Sequence, residues 1–304
     1  MNLSLQGLMT KRTRVAEEPV TWTLQSNPLT THIHGITYGK GIWTAVAYGG
    51  EMATAVEPTG EWTSRTSSFG SDNIMEVTYA NNIWVAIGAS GKLATSVEPT
   101  GTWTQRTSSF GSSTIRKVAY GDGIWTAVGD DNKIATAVEP TGTWTQRANP
   151  FTSSIIQSVV HANGIWTAVA WSGEMATAVD ATGEWTSRTS SFGSDNIWCL
   201  GYGNGVWVAS GKYGKLATAT SPTGTWTQRS NPFGSTSMTK VAYGGGAWAI
   251  VSQNGIFTAL DPTSTWTSQT DPYSGDDIYA IRYANGIWVS GGNVSQIATA
   301  VNGV

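Results

Sequence analysis

Charge is scarce in this chain: 17 Lys and Arg and 20 Asp and Glu among 304 residues leave a net of −3 at pH 7. That balance offers no basic field to neutralise nucleic-acid phosphates and no polybasic segment for an anionic lipid surface. The single cysteine, Cys199, excludes an intrachain disulfide framework and a cysteine-based zinc cluster. Apolar runs are strand-sized, and residues 1–20 hold no apolar core of a secretory leader. Neither membrane insertion nor ordinary secretion is expected. Helical periodicity is missing as well; with 36 Gly and with Ser and Thr at every turn, the class is all-β.

Repetition is what the chain has in abundance. The phrase Glu-Trp-Thr-Ser-Arg-Thr-Ser-Ser-Phe-Gly around Trp62 returns with small changes at Trp22, Trp103, Trp144, Trp185, Trp226 and Trp266. A second tryptophan keeps step at Trp43, Trp84, Trp125, Trp166, Trp207, Trp248 and Trp288, 40 or 41 residues apart. A period of about 40–50 residues that carries several short strands marks propeller blades. In the second copy the turn residues predict strands at 74–79, 83–87, 92–97 and 102–107. The C-terminal residues match a third strand with no fourth after it, and residues 18–23 match a fourth strand with no third before it. The expected fold is therefore a seven-bladed β-propeller with four antiparallel strands per blade, its last blade closed three plus one by the N-terminal strand. Residues 18–304 form this propeller, and residues 1–17 form an arm whose Lys11, Arg12 and Arg14 are candidate anchoring groups.

The turn Ser96-Val97-Glu98-Pro99-Thr100-Gly101-Thr102-Trp103 resembles the Asp-box of sialidase-like propellers. Glu57, Glu98 and Glu139 replace the aspartate, Asp180 and Asp261 keep it, Ser221 loses it, and the Gly-to-Trp spacing is one residue short. The box is a structural turn, so the resemblance implies fold and not activity. The fuller phrase, Trp-Thr-Gln-Arg-Thr-Ser-Ser-Phe-Gly followed by Val-Ala-Tyr-Gly-x-Gly-Ile-Trp, is similar to repeats of some bacteriophage tail and tail-associated proteins. A sialidase needs three converging arginines, whereas Arg65, Arg106, Arg147, Arg188 and Arg229 share one repeat position and so spread around the ring, on outer strands. Within the repeats only Arg116 and Arg282 break that pattern. Carboxylate-pair chemistry would have to use Asp72, Asp195 or Asp276 and Asp277, which in loops beside Ser and Gly read first as turn formers.

Seven copies in one chain separate framework from freedom. The residue after the one that opens the first strand is His34, Met75, Arg116, Gln157, Trp198, Thr239 or Tyr279; the next is Gly35, Glu76, Lys117, Ser158, Cys199, Lys240 or Ala280. The second-to-third-strand turn varies too, and includes Tyr48, Trp171 and Tyr213. In an antiparallel blade these two regions lie at the same end. One face of the disc is thus variable, and the other, with the chain ends, is nearly uniform. The candidate binding residues are His34, Met75, Glu76, Arg116, Lys117, Trp171, Trp198, Tyr213, Lys240 and Tyr279. The fourteen repeated tryptophans read as core. Phe69, Phe110, Phe151, Phe192, Phe233 and Tyr273 read as interblade packing, with sugar stacking as the alternative. His32, His34 and His161 lack ligand spacing, so no metal and no cofactor is expected.

The function expected on these grounds is a non-enzymatic binding or structural propeller. With the phage-tail resemblance, it is a virion component that binds a host-surface glycan or another virion protein and is held by its arm. The alternatives are a sialidase-like glycoside hydrolase and an intracellular, cytoplasmic assembly scaffold.

Overall fold

The computed structural model describes residues 20–231, 233–253 and 255–301. Seven four-stranded antiparallel sheets follow one another as blades. The first strand of each, in chain order, is Ile33–Gly39, Ile74–Ala80, Ile115–Gly121, Ile156–Ala162, Ile197–Gly203, Met238–Gly244 and Ile278–Ala284. These first strands touch their neighbours all the way round, the seventh against the first, and so form the inner wall of the ring. Blade 7 takes its other strands from Ile287–Gly292, Ile297–Val301 and, from the opposite end of the chain, Thr23–Gln25. The predicted closure is what is found, with Thr23 opposite Thr299 and Gln25 opposite Ile297.

The core lies between blades rather than within any one of them. Val46 and Met52 of blade 1 pack with Ile74, Val77, Trp84 and Trp103 of blade 2. Across the seam, Ala280, Val289 and Ile297 of blade 7 meet Ile33 and Trp43 of blade 1. Second strands such as Ile165–Ala170 are buried beyond their first residue because they carry only apolar or small side chains on both faces. Their tryptophans are fully buried, and each leans on the aromatic directly across the ladder, Tyr38 on Trp43 at 5.1 Å and His161 on Trp166 at 4.7 Å. Burying an indole is worth roughly 4–6 kcal/mol as an upper bound, so this repeated pair is a main source of stability.

The tryptophan that precedes the fourth strand serves the turn in blades 1 to 5. Trp103 Nε1–H donates to the Pro99 carbonyl at 3.2 Å and Trp62 to that of Pro58 at 3.1 Å. This pull explains why the fourth strand of blade 2 is Thr104–Arg106 and not the longer 102–107 expected from sequence. The third strand is likewise shortened to Leu93–Ser96, while the first runs one residue longer, to Ala80. Where the aspartate of the box survives it caps the turn, Asp180 Oδ1 accepting the Thr182 N–H at 2.8 Å and Asp261 Oδ1 that of Thr263 at 2.9 Å. The five repeated arginines do sit on outer strands, each donating to a threonine of strand three, as Arg65 does to Thr54 at 2.7 Å. Gln269 and Gln25 take over that link in blades 6 and 7. The loop aromatics Phe69, Phe110, Phe151, Phe192, Phe233 and Tyr273 are buried, which removes the sugar-stacking alternative and leaves interblade packing.

Candidate functional site

All seven first strands carry the same irregularity. In each, the register shifts between the opening residue and the residue two places on, for example between Ile33 and Gly35 and between Ile74 and Glu76. The skipped residue is a β-bulge, which releases a side chain from the ladder and re-aims it. That residue differs in all seven copies: His34, Met75, Arg116, Gln157, Trp198, Thr239 and Tyr279, all half-buried. The bulge gives the variability a physical cause.

Beyond the bulge the strands enclose a central channel of about 370 Å³, lined by all seven blades. Three of the charged candidates meet there. Glu76 of blade 2 accepts from Lys117 Nζ of blade 3 at 2.6 Å and from Lys240 Nζ of blade 6 at 3.4 Å. Burial alone would raise the Glu76 carboxyl, but the two ammonium groups outweigh it and hold it below the ordinary range. Burial likewise pulls Lys240 down, and Glu76 overrides it and keeps Lys240 above the usual lysine value. Two residues further along the wall, roughly 7 Å by strand rise, stands Arg282. Its guanidinium makes no ion pair within 4.0 Å among the described residues. Its side chain is exposed to solvent, and desolvation by the surrounding wall lowers its pKa, with Glu76 opposing. The channel lining thus holds three basic side chains, Lys117, Lys240 and Arg282, and one carboxylate, Glu76.

An aromatic stack closes the seam between blades 7 and 1 at the same end. His34 lies between Tyr48 and Tyr279, with centroids at 4.3 and 4.6 Å and interplanar angles of 15° and 10°. Tyr279 donates from its hydroxyl to Asp277 at 3.0 Å. Burial, then Lys240 and His32, with a smaller share from Arg116, lower the His34 pKa from 6.5 to about 3, against the pull of Glu76. Its imidazole is therefore neutral and stacks without a desolvation cost. The unfolded chain takes up this proton near 6.5 and the folded chain only near 3, so stability contributed above pH 6.5 is lost as pH falls between those values. Urea unfolding at pH 7, 6 and 5 is expected to show His34→Gln losing less stability per pH unit than the parent, by up to about 1.4 kcal/mol per unit. Parallel curves for the two proteins would contradict the assignment.

The remaining candidates stand around the rim. Trp171 and Tyr213 occupy second-to-third-strand turns of blades 4 and 5 and are 38% and 54% exposed. Tyr213 holds a left-handed backbone, φ 56°, where blade 1 has Gly49 and blades 2 and 4 have Ser90 and Ser172. A bulky residue there costs about 1–2 kcal/mol, and Lys212 Nζ lies 4.6 Å from its ring centroid. Arg116 is paired with Asp130 of its own blade. Trp198 and Met75 are half-buried, and the Trp198 indole nitrogen is buried without a partner. The structure thus joins Glu76, Lys117 and Lys240 in the channel and His34 with Tyr279 at its seam, while Trp171 and Tyr213 stay apart on turns. Lys11, Arg12 and Arg14 lie outside the described residues.

Two features went unread in the candidate set. Arg282 replaces Thr37, Thr78, Ala119, Val160, Gly201 and Ala242 of the other copies, a contrast visible in sequence once the position is known to face the channel. The uniform face presents exposed Val56, Val97, Val138, Val179, Leu260 and Val301 at the ends of the third strands. Lys40 bridges turns of that face by pairing with Glu98 of the next blade at 3.0 Å. Asp72 and Asp195 do not pair with each other: Asp72 is bound to Lys92 at 2.7 Å and Asp195 to Lys215 at 2.6 Å, in separate blades. No helix among the described residues is long and apolar enough to cross a membrane.

No protein-family model matches the chain, and no curated protein matches it. Among solved structures it is similar to YCF48 from Cyanidioschyzon merolae, with TM-score 0.74 and 15% identity over 92% of this chain and 98% of that one. YCF48 bound to D1 peptide gives 0.77 and 14% over 95% and 99%. Virginiamycin B lyase from Staphylococcus aureus gives 0.81 and 12% over 92% and 99%. At such identities the likeness is one of fold, the all-β seven-bladed propeller, and its bearers include a peptide-bound protein and a lyase.

Proposed function

We propose that this is a binding propeller without catalytic chemistry, which docks a partner on the face that carries the second-to-third-strand turns and the channel mouth. The observation that carries the reading is Tyr213. An aromatic ring is displayed at a turn tip, in a left-handed backbone conformation that the same turn fills with Gly49, Ser90, Asp131 and Ser172 in blades 1 to 4 and with exposed Val294 in blade 7. Trp171 stands exposed on the neighbouring blade's turn. Exposed rigid aromatics of this kind supply most of the energy at recognition surfaces. Glu76, the carboxylate of the channel, is held ionised by two ammonium groups and so suits a fixed-charge role better than proton donation. A protein segment is the favoured partner class, supported by a propeller of the same fold described bound to a peptide. A virion setting, a host-surface glycan as partner and anchoring by residues 1–17 are the finer parts of this reading, supported by the similarity of the repeat phrase to phage tail repeats.

Peptide and glycan arrays probed with the intact protein, Trp171→Ala and Tyr213→Asn test it. Ligands retained by the parent are expected to bind about tenfold or more weakly to both variants. Asn tolerates the left-handed conformation, so the Tm of Tyr213→Asn is expected to hold or rise while binding falls. Retention that neither substitution weakens, or no retained ligand at all, would exclude the rim as the docking surface.

A further inference from the structure

The same comparison between copies bears on the channel, independently of what docks on the rim. Packing does not require its charges. At the position of Glu76, Lys117 and Lys240 the other blades carry Gly35, Ser158, Cys199 and Ala280, and at the position of Arg282 they carry only small or apolar residues. Neutral side chains therefore serve the same bulged strand in the same ring. Glu76 is matched by Lys117 and Lys240 across the channel, which leaves an excess of two positive charges once Arg282 is included. Arg282 is exposed to solvent at the channel, yet like charges on one wall still repel one another, and a guanidinium cannot relieve this by losing its proton at neutral pH. An anion entering the channel relieves it.

We infer that the central channel is a binding site for a small oxyanion, a carboxylate or phosphate group held by the Arg282 guanidinium with Lys240 and Lys117 as flanking cations. The planar fork of Arg282 can donate two parallel N–H bonds to two oxygens of either group. The volume, about 370 Å³, lies within the range of small-ligand sites. Glu76 sets the selectivity: it occupies one side of both lysines and excludes ligands that present no negative charge in return for its displacement or sharing. The neutral His34 at the seam adds no charge of its own. The occupant is thus a compact anion, either free or the acidic end of a larger molecule reaching in from the variable face.

Calorimetric titration and thermal shift with inorganic phosphate and, separately, citrate, at ionic strength matched with sodium chloride, test this. Saturable binding of at least one probe to the parent protein is expected, and the preferred probe tells a phosphate site from a carboxylate site. Arg282→Thr, which installs the residue of Thr37 and Thr78, and Lys240→Ser, which installs that of Ser158, are each expected to weaken binding at least tenfold while near-UV circular dichroism stays native. Glu76→Gln is expected to lower the Tm without anion, since two lysines lose their partner, and to recover most of the loss when the probe is added. Arg106→Ala, on an outer strand, controls for surface anion binding and is expected to change nothing. No saturable binding of either probe, or equal binding by the parent and both channel variants, would overturn the assignment and reduce Glu76 with its lysines to a structural clamp.

Discussion

Trp22→Ala is expected to lower the unfolding free energy by about 3–5 kcal/mol and to open the ring at one identifiable seam. Trp22 is buried in a cluster with Tyr273, Ile278, Trp288, Ala298 and Ala300. The strand after it, Thr23–Gln25, makes the fourth strand of blade 7 with three paired residues. In every other blade the fourth strand follows the third through a short turn, so chain connectivity holds it even when its tryptophan is cut back. The closing strand has no such tether. It is held by the burial of Val20 and Trp22, by the three-residue ladder, and by the Val20 N–H donating to Gln269 Oε1 at 2.6 Å. Trp62→Ala removes the same indole from blade 1, where the turn from strand three remains, and is expected to cost a similar amount. The two should part in hydrogen exchange: Trp22→Ala is expected to speed exchange along Ile297–Val301, whereas Trp62→Ala leaves the corresponding strand Met52–Ala55 protected. Equal protection in both variants would show that the seam closes without Trp22.

The second large effect is steric and sits at a turn. Gly91→Ala is expected to cost about 2–5 kcal/mol, the sum of about 1–2 for a left-handed residue with a Cβ and about 1–3 for overpacking. Gly91 has φ +64°, and a Cβ there would lie 2.0 Å from the Gly111 carbonyl oxygen. Gly111 belongs to the loop that leads from blade 2 to blade 3, so the clash falls on backbone that cannot rotate away. Gly123 supplies the comparison. Its φ of +79° carries a similar conformational demand, but nothing lies within 4 Å of its Cβ position. Gly123→Ala is therefore expected to cost only the conformational part, about 1–2 kcal/mol. Denaturant midpoints measure both, and equal losses would show that the contact with Gly111 contributes nothing.

The two predictions draw on parts of the molecule that differ in how far they were legible beforehand. Trp22 was assigned to the last blade from the chain ends alone, because a three-strand remnant and a one-strand remnant of the same repeat can satisfy their edges only by pairing. The contact of Gly91 with Gly111 was invisible, since it depends on how the turn folds back on the next loop. The candidate site divides in the same way. That His34, Glu76 and Lys240 lie toward one end of their blades follows from antiparallel order. That Glu76 and Lys240, 164 residues apart, share a channel follows from the ring. Arg116 is grouped with them by sequence as a candidate binding residue, yet its guanidinium is paired with Asp130 of its own blade.

The sequence by itself determined the number of blades, the four strands in each, the closing strand and the split into a uniform and a variable face. These are consequences of periodicity, and a period read seven times leaves little else possible. The tertiary structure alone decided which variable residues meet. Each bulge takes one side chain out of the ladder, and the next residue lines the channel in six of the seven blades. Closure sets blade 7 beside blade 1, so that His34 stacks between Tyr48 and Tyr279. A repeat specifies the same environment in every copy; it carries no information on the distance across the ring, and it is across the ring that Glu76 finds Lys240, while Arg282 has no ion-pair partner among the described residues.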